Sequence, residues 1–515
     1  MYRRELPEQT KLPFPYNVEL NPESKWVKLA DLIPWSRIEE DYVKHFRGNE
    51  GQVAKPARLA FGALYIQATE GFTDEKTAEH IQENPHMQYF CGLKCYAPLP
   101  AFDASMMVHF RKRIPAEMII QITKEIFAAE ALKEMEAPEE KMLEEGLLEE
   151  ILTEDELPEE TGSELNGGDE AIEEAEPKGG KTNRGTLILD ATCCPQDIRF
   201  PTDIGLLNQA RELLERIIDM LFADVIDLYA YKPRTYRQVA RKDFLNYSKA
   251  RKRSKKFILK HKRKQLQYIA RDLRIIKELV AKGALLSTLP KQLQEKLEVI
   301  KEVYRQQKEM YDNRTNRCDD RIVSISQPHI RPIVRGKEHN PTEFGAKVAI
   351  GLVGGYAFIT EISWDNIAEA SLMPQAAEQY KEMFGFYPKA IIGDGVYPNR
   401  TNRDYCKARG IRISGPRLGR KNEEIKRDEA RQRHLDSCER NAVEGEFGAT
   451  KRKYGLDLIM PKLPDTSLTA IAMGVFVANM ERNLRLLFVP GSCSFIYYDF
   501  QLLSLVISVD YQLAS

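Results

Sequence analysis

The chain has 515 residues, enough for two or three domains and at least one large hydrophobic core. Hydrophobic residues make up 43% of it and charged residues 30%, which excludes fibrous and wholly disordered proteins. The formal net charge of −1 hides two opposite runs: residues 130–176 carry 20 acidic against 2 basic side chains, and residues 232–264 carry 15 basic against 1 acidic. A surface that binds a polyanion can therefore exist on a chain that is neutral overall.

The N-terminal region has the apolar spacing of short helices. Gly71 is expected to end one helix and Thr73 to begin the next, and a later helix ends in the basic run 111–113. A small DNA-binding bundle and a plain helical domain both fit this pattern. We assign residues 1–128 to an N-terminal helical domain that binds DNA.

The segment 129–183 is strongly acidic and contains several Gly and Pro residues, so we predict a flexible linker. Two roles remain open for it. It is either an inert solvated connection or a mimic of DNA that covers the basic run.

From Thr186 onward, short apolar runs alternate with amphipathic helical patterns, which is typical of an α/β layer. The first predicted helix of this layer begins at Thr202 or Asp203. Residues 232–310 interrupt the layer with a helical pattern and predict an inserted basic helical hairpin. Strands are predicted at 186–189, 322–325, 346–353, 356–362, 389–393 and 411–414.

Two carboxylates follow apolar strands of this layer. Asp190 comes directly after the run 187–189, and Asp394 directly after the run 390–393. In open α/β sheets the active site lies in the crevice outside the carboxyl ends of the strands. A single Asp in such a position is often only a turn or helix cap, so the argument rests on the pair together with a third acid.

That third acid is predicted on a helix near residue 444. With about 100° per residue, Arg440, Glu444 and Lys451 fall on one polar stripe, while Glu446 points well away from it. The geometry therefore selects Glu444 over Glu446. An ordinary surface helix with an i,i+4 Arg–Glu pair is the alternative interpretation.

Three carboxylates of this kind suit phosphodiester chemistry. Two Mg²⁺ ions roughly 4 Å apart can activate an attacking oxygen and stabilise the leaving one, and Mg²⁺ prefers hard oxygen ligands. Neither the eight scattered histidines nor the eight cysteines, among them the lone pair Cys91 and Cys95, have the spacing of a competing metal site. We expect two Mg²⁺ ions, with Mn²⁺ as a possible substitute.

These residues resemble the DDE transposases of bacterial insertion sequences over most of the chain, from about residue 2 to 485. The glutamate signature of that family, Tyr-x2-Arg-x3-Glu-x6-Lys, keeps its Arg, Glu and Lys here, but Ser437 replaces its tyrosine. The other marks are Leu189-Asp190-Ala191-Thr192, Phe200-Pro201-Thr202-Asp203 and Gly393-Asp394-Gly395-Val396-Tyr397.

The resemblance implies an α/β fold with an RNase H-like catalytic core, a mixed sheet flanked by helices. It implies that Asp190, Asp394 and Glu444 are the catalytic metal ligands, and that Arg440 and Lys451 contact phosphate. It also implies binding to the terminal inverted repeats of an element and to target DNA. Because two DNA ends must be held together, we expect a homodimer or a higher oligomer.

The basic run of the insertion is predicted to contact the DNA backbone, which gives affinity that depends on salt and not on sequence. A solvated charged helix is the alternative. The predicted contact residues are Arg251, Lys252, Arg253, Lys255, Lys256, Lys262, Arg263 and Lys264.

The sequence thus predicts a DNA transposase that cleaves at the ends of its element and joins them to target DNA. A structure-selective nuclease without strand transfer and an inactive domesticated DNA-binding protein are the alternatives. We place the catalytic domain at 184–488, with 468–488 as a core helix, and leave the apolar tail 489–515 without a role. No secretion signal is evident at the N-terminus, so a cytoplasmic, nucleoid-associated location is expected.

Overall fold

The computed structural model describes residues 20–46, 53–136, 183–334, 342–416 and 423–487. The linker segment 137–182 and the tail 488–515 lie outside the described residues. The described residues between 20 and 136 form a helical region that ends at Glu136. Residues 129–136, the first eight of the predicted linker, therefore belong to a helix. Its helices are α1 (Lys25–Leu32), α2 (Trp35–Val43), α3 (Ala57–Glu70), α4 (Asp74–Glu83), α5 (Pro85–Phe90), α6 (Met106–Arg113) and α7 (Ala116–Glu136).

The predicted helix ends in this region are confirmed. Gly71 follows α3 with a φ of 66°, a left-handed conformation that glycine adopts without strain. The Thr73 side chain accepts a hydrogen bond from the Lys76 amide and caps α4.

The basic run at the end of α6 is largely used inside the protein. Arg111 is buried and its guanidinium is bonded to Asp74 and Gln67. The guanidinium of Arg113 lies 4.9 Å from the centre of the Phe46 ring. Only Lys112 of the three is exposed, so this run gives little support to the DNA-binding interpretation of the bundle.

The last described helix, α15 (Pro464–Leu487), joins the N-terminal helices to the sheet. Phe476 packs edge-on against Phe61 of α3 at 5.4 Å and contacts Phe127 of α7 at 5.9 Å. Phe127 in turn stacks at 5.5 Å on Tyr356 of the sheet. The predicted core helix at 468–488 is therefore confirmed over its described part, and none of the described helices is both long and apolar enough to cross a membrane.

The sheet is mixed. The strands are β1 (Thr186–Pro195), β2 (Arg331–Val334), β3 (Thr342–Val353), β4 (Tyr356–Ser363), β5 (Ala390–Ile392) and β6 (Arg412–Ile413). β1 pairs in parallel with β5, and β5 pairs in parallel with β6. The other edge of β1 pairs antiparallel with β3, and the far edge of β3 pairs antiparallel with both β2 and β4. This arrangement, with helices around it, is consistent with an RNase H-like core.

Two strand predictions need correction. β1 continues to Pro195 because it pairs with β3 as far as Gly345, so Asp190 lies inside the strand and not at its end. The run 322–325 is not a strand. Ile322 and Ile325 are buried in the helical insertion, and the Ile322 amide donates to the Gln306 side chain.

Four helices stand between β1 and β2 and have a hydrophobic cluster of their own. It is built from α8 (Asp203–Asp224), α10 (Lys255–Ala281) and α11 (Lys291–Asp312), and α9 (Arg237–Lys249) packs against α10. The apolar stripe of α8 packs with the helices of the insertion. The remaining helices are α12 (Met373–Phe384), α13 (Arg400–Ala408) and α14 (Glu423–Lys453).

Candidate active site

The register of β1 and β5 brings two predicted carboxylates to the same level. Ile188 pairs with Ile392, and Asp190 and Asp394 each follow that pair by two residues. Neighbouring strands are about 4.8 Å apart, and residues two positions apart on a strand share a face. Asp190 therefore lies inside a strand beside the point where the loop after β5 presents Asp394.

Hydrogen bonds fix the loop that carries Asp394. The Asp394 side chain accepts from the Gly395 amide at 2.6 Å, and its carbonyl accepts from the Tyr397 amide at 2.9 Å. The buried Asn402 side chain donates to the Tyr397 carbonyl at 2.8 Å. The Asp394 carboxylate itself remains 62% exposed, so it is held in place yet open to a ligand.

Tyr397 is the buried floor of this loop. Its ring packs directly on Gly393, where an added Cβ would lie 2.6 Å from a ring carbon. Burial raises the pKa of the Tyr397 hydroxyl, and the negative charges of Glu369, Asp190 and Asp394 raise it further. The negative charge that acts on Tyr397 also favours a cation.

Helix α14 passes the sheet with three connections. Arg412 of β6 donates two hydrogen bonds to Asp436, at 2.7 and 2.9 Å. Nη1 of Arg440 lies 3.5 Å from Oδ1 of Asp394. Nζ of Lys451 donates to the carbonyl oxygen of Cys193 in β1 at 2.8 Å.

Glu444 lies on α14 between the last two connections, one turn beyond Arg440. The side chains of Glu444 and Glu446 lie outside the described residues, so the choice between them stays a prediction. The described side chains include no cluster of three His, Cys, Asp or Glu that could hold a metal ion. Even without Glu444, Asp190 and Asp394 supply carboxylate oxygens, which are ligands of the type that Mg²⁺ prefers. The chemistry of these two residues therefore fits that ion.

Comparisons with known proteins match both ends of the chain. Residues 391–481 match the family described as Transposase DDE domain, and residues 15–113 match Transposase domain (DUF772). The chain is therefore similar to transposases in both of these regions. The first match includes Asp394 and Glu444, while Asp190 lies outside both.

A curated relative of the chain is an uncharacterized protein, ORF8 in the nfe locus of Rhizobium meliloti. It is 34% identical over 105 residues, which is 20% of this chain and 50% of the relative. The chain thus matches about half the length of that relative. No solved structure matches the chain significantly.

The predicted DNA contacts of the basic insertion fall into two groups. Arg251, Lys252, Lys255, Lys256 and Arg263 are exposed. Arg253 is also exposed, although its guanidinium donates to the Ala250 and Ser248 carbonyls. Most of the predicted residues therefore lie on a surface that DNA can reach.

Lys262 and Lys264 differ from that group. Lys262 is buried and its Nζ lies 2.9 Å from the Asp203 carboxylate, so it supports the fold of the insertion. Lys264 is half-buried, with Nζ 2.8 Å from Asp243. Lys262 therefore does not belong to the surface proposed to contact DNA.

Other basic residues outside the predicted contact set are also exposed on the insertion. Arg234, Arg241, Lys242 and Lys249 lie on or just before α9 and are all exposed. They were part of the counted basic run but not of the predicted contact set. A helical projection of 237–249 could have found three of them, because the buried Ala240 and Tyr247 mark the opposite face.

Proposed function

We propose that this chain is a DNA transposase in which Asp190, Asp394 and Glu444 hold two Mg²⁺ ions. The observation that supports this most strongly is that Asp190 in β1 and Asp394 in the loop after β5 each lie two residues beyond the paired residues Ile188 and Ile392. When bound, such ions would activate the attacking oxygen and stabilise charge on the leaving oxygen. The DDE domain match supports the assignment of the second aspartate and the glutamate.

The anchors of α14 support the position of Glu444. Arg412 pairs with Ala390 and Ala390 with Thr186, so Asp436 is held near the level of Thr186 in β1, while Lys451 is held at Cys193. These levels are about 23 Å apart along the strand and two strand spacings apart sideways, about 25 Å in all. Fifteen helical residues span about 22 Å, which matches this diagonal within the reach of the side chains.

Glu444 lies about halfway along that diagonal. Interpolation between the two anchors puts its backbone close to the level of Asp190, which is also the level of Asp394. The three acids would then converge from strand β1, the loop after β5 and helix α14. Glu446 is on a different face of α14 and would not share this position.

The reaction proposed for this site has two phosphoryl transfers. Water attacks a phosphodiester at the end of the element, a new P–O bond forms, and the bond to the 3′ oxygen breaks to leave a 3′-hydroxyl. That 3′-hydroxyl then attacks a phosphodiester of target DNA and displaces its 3′ oxygen. Arg440, which is 36% exposed beside Asp394, is placed to contact a phosphate there.

The DNA path is proposed to include the exposed basic surface of the insertion. Backbone contacts from that surface would give salt-dependent affinity for the terminal inverted repeats and the target. Because two ends must be joined in one event, we propose that a homodimer or a higher oligomer acts in the cytoplasm.

The test uses a supercoiled plasmid that carries the gene with its flanking DNA. Asp190→Asn, Asp394→Asn and Glu444→Gln should each abolish Mg²⁺-dependent cleavage and leave plasmid binding unchanged. Glu446→Gln is the matched control and should cleave normally. If Glu444→Gln cleaves and Glu446→Gln does not, the assignment on α14 is wrong.

Strand transfer needs its own measurement. Supplying pre-cut ends with a 3′-hydroxyl and a target plasmid should give joined products with the wild-type chain. Cleavage without any joined product would favour a nuclease. The absence of Mg²⁺-dependent cleavage from the wild-type chain would favour the inactive DNA-binding alternative.

A further inference from the structure

We propose that Asp436 and Arg412 are positioning residues that set where α14 presents Glu444 to the two aspartates. This inference rests on the proposed function and adds two residues that the glutamate signature does not include. The pair has the geometry of a clamp. Nη1 and Nη2 of Arg412 each donate to one oxygen of the Asp436 carboxylate, at 2.7 and 2.9 Å.

The burial of Asp436 strengthens the effect of this contact on the position of α14. Asp436 is buried, whereas the Arg412 side chain is 40% exposed. Nε2 of Gln432, one turn earlier on α14, also donates to Oδ1 of Asp436, at 3.1 Å. A bidentate contact to a buried carboxylate restricts both the distance and the rotation of the helix, which a single hydrogen bond to an exposed group does not do.

The place of the clamp explains what it controls. Asp436, Arg440 and Glu444 follow one another at four-residue intervals, so they occupy one stripe of α14. Along this stripe the helix meets β6 through Arg412 and then Asp394 through Arg440. A rotation of the helix about its axis would move all three side chains together.

The clamp is also the stronger of the two contacts at this end. The distance between Arg440 and Asp394 is 3.5 Å, and both side chains are more exposed than Asp436. Exposed ion pairs of this kind contribute little to stability. Of these two contacts, the Arg412–Asp436 pair is therefore the better suited to hold this part of α14 in register with β5 and β6.

β6 is short and lies at the edge of the sheet, and its backbone is held to its neighbour. The Arg412 amide donates to the Lys389 carbonyl at 2.9 Å, and Ile413 pairs with Ile391 of β5. The strand that ends before Asp394 is thus the same strand that supports Arg412. β5 therefore helps to position both acids. It positions Asp394 through the loop that follows the strand, and Glu444 through the Arg412–Asp436 clamp.

The experiment compares single and double apolar replacements in the full-length protein. Asp436→Leu and Arg412→Met should each lower the rate of plasmid cleavage ten- to a hundredfold, because a displacement of about 1 Å can cost that much. The Kd for the plasmid should change less than about twofold. Direct Mn²⁺ binding, measured by electron paramagnetic resonance, should weaken in both variants.

The double variant separates positioning from simple support of the fold. Arg412→Met leaves the buried Asp436 carboxylate without its guanidinium, and the double variant removes that charge, so its thermal midpoint should recover relative to Arg412→Met. Its cleavage rate and Mn²⁺ affinity should stay low, since nothing sets the helix. Arg412→Lys keeps the charge without the fork and should retain an intermediate rate.

A matched pair elsewhere serves as the control. Arg37 and Glu125 form a bidentate contact at 2.8 and 3.1 Å among the N-terminal helices. Replacing both should leave cleavage and Mn²⁺ binding unchanged. The clamp is refuted if the Asp436/Arg412 double variant recovers both its thermal midpoint and its rate, or if the single variants cleave normally. A wild-type protein that neither cleaves nor binds Mn²⁺ would overturn the proposed function, and the clamp with it.

Discussion

Lys451 donates a hydrogen bond from Nζ to the carbonyl oxygen of Cys193, 2.8 Å away, in the strand that carries Asp190. The contact ties the last turn of α14 to β1. A hydrogen bond from a charged group contributes about 1.5–3 kcal/mol. The resemblance implies a phosphate contact for this lysine, whereas the geometry gives its ammonium a role in docking the helix.

Lys451→Met should therefore lower cleavage about tenfold or more while plasmid affinity stays within about twofold, because the far end of α14 loses its connection. Amide hydrogen exchange at residues 448–454 should become faster in the same variant. Lys451→Arg keeps a donor of similar reach and should preserve part of the rate. A large loss of plasmid affinity without faster exchange would instead assign Lys451 to the phosphate.

The exposed basic surface of the insertion predicts a change in salt dependence. Replacing Arg251, Lys252, Lys255 and Lys256 by Ala should weaken binding to duplexes of unrelated sequence to a similar extent. Each lost phosphate contact lowers the slope of log K against log salt concentration by about 0.9, so four contacts lower it by up to about 3.6. Fluorescence anisotropy over a range of salt concentrations measures both quantities.

Lys262→Met is the internal control for that experiment. Lys262 belongs to the same basic run but is buried against Asp203, so its loss leaves a half-buried carboxylate with one partner fewer. The thermal midpoint should fall and the salt slope should stay that of the wild type. A reduced slope with an unchanged midpoint would place Lys262 at the DNA after all.

The contrast between these lysines shows where the sequence was sufficient and where it was not. Helix ends set by local chemistry, such as Gly71 and Thr73, were predictable from a few neighbouring residues. The partner of Lys262 lies 59 positions away, and no local pattern distinguishes this lysine from exposed neighbours such as Arg263.

The same distinction applies to the strands and the site. Apolar runs located the strand segments before Asp190 and Asp394, but the extension of β1 depends on pairing with β3, which is far away in sequence. The run 322–325 was misread because apolar spacing does not say which core it enters. A helical projection of the sequence places Arg440 and Lys451 on one face of α14. It does not reveal that Lys451 donates to a backbone carbonyl.

Gly393 precedes Asp394 at a position that has no room for a side chain. Because an added Cβ would meet the Tyr397 ring at 2.6 Å, Gly393→Ala must displace either the ring or the loop that holds Asp394. We expect at least a tenfold loss of cleavage and an unchanged Kd for plasmid. Gly395→Ala, where no atom lies within 4 Å of the added Cβ, is the steric control and should cleave faster than Gly393→Ala.

Asp272 gives the insertion a pH-dependent stability. It is fully buried between α8 and α10, and neither carboxylate oxygen has a hydrogen-bond partner among the residues that the structure describes. Burial and the charge of Glu215 raise the pKa of Asp272 to about 7, although Arg271 and Arg211 oppose the rise.

The folded protein therefore keeps a proton on Asp272 between about pH 4 and pH 7, where the unfolded chain has released it. Stability must fall as the pH rises through this window, because the folded state binds more protons than the unfolded state. Asp272→Asn removes the ionisation, so its advantage over the wild type should grow from pH 5 to pH 8 by roughly 2–4 kcal/mol. Urea unfolding at several pH values measures the difference, with the exposed Asp312→Asn as the control. An advantage that stays constant with pH would show that Asp272 is already charged in the folded protein at pH 5.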